Sequence, residues 1–80
     1  MADSQKLRFE KGDVIFSQGD PSNSILILVE GAASVTVDGE LVAVIDSPGA
    51  MIGELSYLLE EPRSGTVEAL VDCVIHLIVR

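Results

Sequence analysis

The sequence predicts an all-β domain, a double-stranded β-helix or jelly-roll barrel of about eight short strands with one short helix. Short apolar runs recur along the 80 residues and are separated by clusters of Gly, Pro, Asp, Asn and Ser, which favour turns. Hydrophobic residues make up 48% of the chain and aromatic residues only 4%, so the core must consist of Val, Ile, Leu and Ala, which suit a pleated sheet. No segment carries a sustained apolar period of 3.6 residues, which argues against a helical bundle.

The first half of the chain predicts five strands. Each is a short apolar or alternating segment bounded by turn residues, and together they cover residues 7–9, 14–16, 24–30, 33–37 and 41–45. Residues 1–5 are polar and are expected to be disordered, and residues 17–23 are expected to form a loop. Residues 24–30 are almost continuously apolar, which is typical of a strand buried on both faces. Asp38 and Gly39, between two strands, are the strongest hairpin signal in the chain.

The second half predicts a short helix between strands. Residues 46–49 contain Pro and Gly and form a turn. Residues 54–59 favour one or two helical turns that end before Pro62, because the residue before a proline is disfavoured in a helix. The chain then returns to strands at residues 66–70 and 74–79. One domain therefore accounts for residues 1–80.

The charge of the chain argues against several classes of partner. Five basic and thirteen acidic residues give a formal net charge of −8. Such a surface repels the phosphates of DNA or RNA and an anionic membrane, so neither direct nucleic acid binding nor membrane insertion is expected. No apolar run is long enough to cross a bilayer, and the start of the sequence has no apolar signal segment. A cytoplasmic location is expected.

The sequence offers no catalytic arrangement. Cys73 is the only cysteine and is expected to be a buried, inert thiol, which leaves no partner for a disulfide. His76 is the only histidine and is expected to be a structural residue of the last strand. One His and one Cys supply neither a nucleophilic triad nor the several His ligands of a cupin-type metal site. We therefore predict no enzyme activity, no catalytic residue, no metal and no cofactor.

One segment, residues 48–67, carries a pattern that suits an anionic ligand. Gly53 precedes the predicted helix and lets a ligand approach the main chain without meeting a Cβ atom. The first turn of a helix has N–H groups without helical partners, which attract an anion. Arg63 follows Pro62 and adds a planar fork of donors that matches two phosphate oxygens. Glu54 is an acceptor beside the same site, and a sugar hydroxyl is its natural donor.

This pattern resembles the phosphate-binding cassette of cyclic nucleotide-binding domains. The resemblance consists of Gly53-Glu54-Leu55 followed, nine positions after Glu54, by Arg63 in the run Pro-Arg-Ser-Gly-Thr. Residues 9–20 resemble the opening strands of that family, and residues 29–31 with the Asp-Gly hairpin resemble its middle. Residues 7–79 are covered in total, and the ordered set of motifs is far more specific than Gly-Glu-Leu alone.

The resemblance implies a regulatory module that binds cAMP or cGMP and acts on an effector domain outside this chain. Arg63 would pair with the exocyclic oxygens of the cyclic phosphate, and Glu54 would accept from the ribose 2′-hydroxyl. Ser64 would reach the phosphate or a guanine edge, and Met51 and Ile52 would pack near the ribose or base. The ligand-binding residues implied in this way are Ile52, Gly53, Glu54, Leu55, Ser56, Arg63, Ser64 and Thr66.

The sequence differs from the family pattern in three ways, and it also allows two other interpretations. Gly65 stands where a small Ala is more usual, and Ile52 replaces a frequent aromatic residue. The helices that flank the barrel in family members are not expected within these 80 residues. Arg63 could instead be a surface residue paired with Glu60 or Glu61. The same barrel could also be a ligand-free module used for docking or oligomerisation.

Overall fold

The computed structural model describes residues 3–79, with side chains from residue 5 onward, and contains eight strands and one helix within them. The all-β class and the single short helix predicted from the sequence are confirmed. The elements are β1 (Asp3–Phe9), β2 (Val14–Phe16), β3 (Ser24–Glu30), β4 (Ala33–Val37), β5 (Glu40–Ile45), β6 (Met51–Ile52), α1 (Glu54–Leu59), β7 (Thr66–Ala69) and β8 (Cys73–Val79). The helix α1 has six residues and falls far short of a membrane span, and no other helix lies within residues 3–79.

Two four-stranded antiparallel sheets enclose the core. One sheet has the strand order β1-β8-β3-β6 and the other the order β2-β7-β4-β5, so neighbours in space are mostly distant in sequence. Both sheets contribute buried apolar side chains, and small or branched residues dominate, as the composition requires. The buried core consists of Leu26, Leu28, Ala33, Ile52, Val67, Ala69, Cys73 and Ile75.

Most element boundaries agree with the sequence-based expectation to within one residue. The bounds of β2, β3, β4 and α1 are those predicted, while β5 begins one residue earlier, β7 ends one residue earlier and β8 begins one residue earlier. The hairpin between β4 and β5 is confirmed. Asp38 and Gly39 have φ values of 52° and 82°, the positive pair that a tight type I′ turn requires.

The expectation of disorder at residues 1–5 is wrong for the part that the structure describes. Strand β1 begins at Asp3 and pairs with β8, with Asp3 opposite Val79 and Gln5 opposite Leu77. The pairing uses main-chain groups, so polar side chains do not prevent it. Residues 1 and 2 lie outside the described residues.

The expectation that β3 is buried on both faces is also wrong. Leu26 and Leu28 are buried, whereas Ile25 and Ile27, which point the other way, are only half-buried. The reason is that the two sheets pack on one face each, so alternate side chains of a central strand reach the outer surface. An apolar outer face on a half-covered strand cannot be told from a buried one by sequence alone.

Cys73 should be unreactive in the folded protein, because its side chain is 1% exposed and its sulfur lies 3.1 Å and 3.2 Å from the carbonyl oxygens of Ala32 and Val71. We expect a soluble thiol reagent to modify it only as fast as the chain unfolds. Absorbance after addition of an aromatic disulfide reagent, with and without denaturant, measures this. Modification of the native chain as rapid as that of the denatured chain would contradict the burial.

Candidate functional site

The chain between β6 and β7 consists of the Gly53 turn, the helix α1 and a segment that brings the chain back to the Gly53 turn. Strand β6 pairs with β3, and Gly53 then adopts a left-handed conformation with φ of 74° at the start of α1. The helix ends at Leu59, and Glu60 follows with φ of 56°, also left-handed. The two left-handed residues reverse the chain on either side of α1, so that Arg63 comes back beside the Gly53 turn.

The loop of residues 17–23 holds the main chain of Arg63. The N–H of Arg63 donates to the carbonyl of Asp20, and the carbonyl of Arg63 accepts from the N–H of Gly19, both at 2.8 Å. The Asp20 carboxylate closes the loop by accepting from the N–H of Ser17 at 2.9 Å. The Ser22 hydroxyl contacts the carbonyl oxygen of Ser56, within α1, and that of Glu61, two residues after it. This loop therefore fixes the main chain of Arg63 independently of its side-chain contacts.

The side chain of Arg63 is buried, with only 4% of its surface exposed. Nη1 donates to the Gly53 carbonyl at 2.7 Å, and Nη2 contacts the carbonyl of Ser24 at 2.8 Å and its hydroxyl at 3.2 Å. All three acceptors are neutral oxygens. Nε is buried and has no hydrogen-bond partner among the described residues. The N–H of Nε is therefore a buried donor that a ligand could use.

An aromatic ring and a distant carboxylate complete the surroundings of this charge. The guanidinium carbon lies 4.4 Å from the centre of the Phe16 ring, within the range of a cation–π contact. Burial lowers the pKa of Arg63 from its usual value, and the negative charge of Asp20 opposes that shift. An arginine remains protonated under such conditions, so the site presents a positive charge in an otherwise acidic protein.

Gly53 is required by the guanidinium as well as by its own conformation. A Cβ atom at this position would lie 2.2 Å from Nη1 of Arg63 and 3.3 Å from the Phe16 ring. Any larger residue would have to displace the arginine. Its φ of 74° adds strain for every residue with a Cβ. The absence of a side chain at Gly53 therefore leaves the space in which the guanidinium of Arg63 contacts the turn.

A cavity of about 110 Å³ lies against this guanidinium. Its polar wall comes from the Gly53 turn and the residues around Arg63, and its apolar wall comes from strands of both sheets. The lining residues are Phe16, Val35, Ile45, Met51, Ile52, Gly53, Ser56, Arg63, Ser64, Gly65 and Val67. The combination of one buried positive charge with apolar walls suits a small organic anion.

The structure brings together five of the eight residues predicted to bind a ligand. Ile52, Gly53, Ser56, Arg63 and Ser64 all line the cavity.

The other three predicted residues are not among those that line the cavity. Glu54 and Leu55 are exposed on the first turn of α1, directly after the lining residue Gly53. Thr66 is half-buried, and its hydroxyl accepts from the N–H of Gln18 at 3.0 Å. Their roles in binding stay predictions.

Sequence reasoning missed the part of the site that comes from other strands. Phe16, Val35, Ile45 and Val67 line the cavity, and each was assigned only to a strand. Their positions within predicted strands follow from the sequence, but no local signal indicates which strand residues face a cavity. Ser24 was also missed as a partner of Arg63, since 39 positions separate the two.

The alternative of Arg63 as a surface residue paired with Glu60 or Glu61 is wrong. The side chain is buried, and its hydrogen bonds go to Gly53 and Ser24. Both glutamates are exposed.

Comparison with known proteins agrees with this geometry. The family model described as cyclic nucleotide-binding domain matches residues 6–80, and the chain belongs to that family. The acetyltransferase Pat of Mycolicibacterium smegmatis is 35% identical over 66 residues, covering 79% of this chain and 20% of the acetyltransferase. A cGMP-dependent protein kinase of Plasmodium berghei is 38% identical over 61 residues, covering 76% of this chain and 7% of the kinase.

A regulatory subunit and a solved structure show the same relationship. The cAMP-dependent protein kinase regulatory subunit of Yarrowia lipolytica is 34% identical over 71 residues, covering 89% of this chain and 19% of the subunit. The structure of cAMP-bound PfPKA-R superposes with a TM-score of 0.90 at 25% identity, covering 96% of this chain and 27% of that chain. The chain thus spans a fifth or less of the length of these curated relatives.

Replacing Gly53 with alanine should destabilise the fold, because the new Cβ would collide with Nη1 of Arg63. We expect Gly53→Ala to lower the free energy of unfolding by about 2–4 kcal/mol, from left-handed strain and overpacking together. The matched control is Gly49→Ala, which has a φ of 89° and open space around its Cβ position, and which should lose only the strain of about 1–2 kcal/mol. Denaturant unfolding compares the two. Equal losses would show that the guanidinium does not occupy this space.

Proposed function

We propose that this chain is a regulatory module that binds cAMP or cGMP, with the cyclic phosphate held by Arg63. The observation that carries the proposal is the buried guanidinium at the wall of the cavity, which donates only to neutral oxygens and has an unpartnered Nε. A buried charge without a hydrogen-bonded counter-ion costs several kcal/mol, and an anion placed beside it reduces that cost. Membership of the cyclic nucleotide-binding domain family supports the same ligand class.

The electrostatics favour a small, singly charged ligand over a polyanion. With a net charge of −8 the surface as a whole repels anions, so attraction is limited to the neighbourhood of Arg63. A cyclic phosphodiester carries one negative charge and two exocyclic oxygens, which matches one planar fork of donors. The main-chain N–H groups of Gly53, Leu55, Ser56 and Ser64 are the proposed further donors to the phosphate or sugar.

Glu54 is the proposed partner of the ribose. It is the first residue of α1, it is exposed, and it follows Gly53 at the cavity wall. A carboxylate there can accept a hydrogen bond from the 2′-hydroxyl once the phosphate lies against Arg63. Because a ligand-bound site would partly shield this contact from water, we expect it to contribute more than an exposed hydrogen bond does.

The cavity size indicates which part of the nucleotide is enclosed. Pockets that hold a whole drug-sized ligand measure about 300–1,000 Å³, and this cavity measures about 110 Å³. We infer that the phosphate and part of the ribose are enclosed, while the base lies at the mouth. Ser64 is exposed beside Arg63 and offers a hydroxyl to the phosphate or to a guanine edge, so both cAMP and cGMP are proposed ligands.

The proposed module is a sensor and not an enzyme. Ligand binding would draw α1 and the Gly53 turn toward the anion and shift the conformation of an effector domain outside these residues. The regulatory subunit among the relatives supports this role, and the enzymes among them extend far beyond the matched region. We propose no cofactor and no metal, and a cytoplasmic location in which the lone thiol of Cys73 stays reduced.

One observation favours a docking function as the second candidate. Strand β5 lies at the edge of its sheet and exposes Leu41, Val42 and Val44, each by half or more. Exposed apolar edges of this kind mark contact surfaces. A thermal-shift assay separates the candidates, because ligand at 100 times its Kd stabilises the native state by about 2.7 kcal/mol. The absence of any shift with millimolar cAMP and cGMP would favour docking alone.

Removing the guanidinium should weaken nucleotide binding. We expect Arg63→Ala to reduce affinity by at least about tenfold, the loss of one charge-assisted hydrogen bond or more, as measured by calorimetric titration with cAMP and cGMP. Arg63→Lys keeps the positive charge but loses the planar pair of donors, so its affinity should lie between those of the unaltered chain and Arg63→Ala. Arg8→Ala, which removes an exposed arginine from β1, is the matched control and should bind normally. An unchanged affinity in Arg63→Ala would remove this residue from the site.

Removing the Glu54 carboxylate should weaken binding only for ligands with a 2′-hydroxyl. We expect Glu54→Ala to reduce cAMP affinity by about three- to tenfold and to leave the affinity for 2′-deoxy-cAMP unchanged. Glu40→Ala, an exposed glutamate in the β4–β5 hairpin, serves as the control. A loss of equal size for both ligands would show that Glu54 acts on the helix and not on the ribose.

A further inference from the structure

Nη2 of Arg63 is engaged by both oxygens of a single residue, Ser24. The carbonyl oxygen lies 2.8 Å away and the hydroxyl oxygen 3.2 Å away, and both contacts are buried. Ser24 is the first residue of β3, and its side chain is only 7% exposed. Nη2 is therefore the most fully occupied nitrogen of the guanidinium.

The covalent geometry of arginine makes Nη2 essential to a bidentate anion. A guanidinium offers two edges on which neighbouring N–H groups point the same way, one formed by Nε with Nη2 and the other by Nη1 with Nη2. Both edges include Nη2. A phosphate that binds either edge through two parallel hydrogen bonds therefore shares this nitrogen with Ser24.

The edge formed by Nε and Nη2 is the one where the competition is least costly. Nε has no partner among residues 3–79, so its single N–H is free, whereas one of the two N–H groups of Nη1 already donates to the Gly53 carbonyl at 2.7 Å. On Nη2 the weaker of the two Ser24 contacts is the one to the hydroxyl, because it is longer by 0.4 Å than the one to the carbonyl. The anion can displace the hydroxyl and leave the carbonyl contact in place.

We propose that the Ser24 hydroxyl is an affinity-setting competitor of the nucleotide phosphate for Nη2 of Arg63. This inference rests on the proposed function, because it assumes that a phosphate binds this guanidinium. The carbonyl of Ser24 positions the arginine, and the hydroxyl occupies the donor that the ligand needs. The hydroxyl thereby lowers the affinity of the site and raises the ligand concentration at which the module responds.

The competitor role predicts that a smaller side chain binds better. We expect Ser24→Ala to bind cAMP about three- to tenfold more tightly than the unaltered chain, because one hydrogen bond to a charged group no longer has to be broken. Ser24→Thr keeps the hydroxyl and should restore the original affinity. Ser34→Ala, which removes another buried serine hydroxyl in β4, is the matched control and should leave binding unchanged. Calorimetric titration with cAMP measures all four proteins.

A double variant tests whether the gain in cAMP affinity from Ser24→Ala depends on Arg63. When Ser24→Ala is combined with Arg63→Ala, the gain in cAMP affinity should disappear, because the contested nitrogen is gone. Unchanged or weaker binding by Ser24→Ala would overturn the competitor role, and so would an equal gain in Ser34→Ala or in the Arg63→Ala background. If the unaltered chain binds neither cAMP nor cGMP, the proposed function is wrong, and the competitor role of Ser24 is wrong as well.

Discussion

The site depends on a single guanidinium that the fold buries without a hydrogen-bonded counter-ion. Removing Arg63 from water costs several kcal/mol, and three hydrogen bonds to neutral oxygens and a contact with the Phe16 ring offset that cost. Each neighbour is constrained in turn. Gly53 has no room for a Cβ, and Ser24 contacts one nitrogen with both its oxygens. We propose that an anion in the adjoining cavity completes the neutralisation of this charge.

The jelly-roll architecture makes this burial possible. Residues 16–24 are far in the sequence from the segment that runs from Gly53 to Arg63, and the two meet through hydrogen bonds of the loop of residues 17–23 to Arg63, Ser56 and Glu61. The main chain of Arg63 is bonded to the loop at Gly19 and Asp20, so the side chain needs little further ordering to reach the cavity. A site prepared in this way loses less conformational entropy when a ligand binds.

Stability and recognition are balanced in the same group of residues. A buried ionic side chain is weak evidence for stability, and replacing such a group by an apolar one is often neutral or stabilising. The buried charge of Arg63 is therefore not explained by stability alone, and we propose that its role is to bind the ligand. The exposed apolar residues of β5, together with Leu55 and Leu58 on α1, leave apolar side chains on the outer surface of the domain.

The sequence by itself determined the strand pattern, the hairpin at Asp38 and Gly39, the helix at Glu54–Leu59 and the proximity of Arg63 to the Gly53 turn, because turn residues, alternation and a specific local motif are all short-range signals. It did not determine the strand β1 from Asp3, the half-covered face of β3, or the roles of Phe16 and Ser24 beside the guanidinium. Those features depend on which strands pair and which faces pack. Only the tertiary structure decides them, because contacts between residues distant in the chain leave no local pattern.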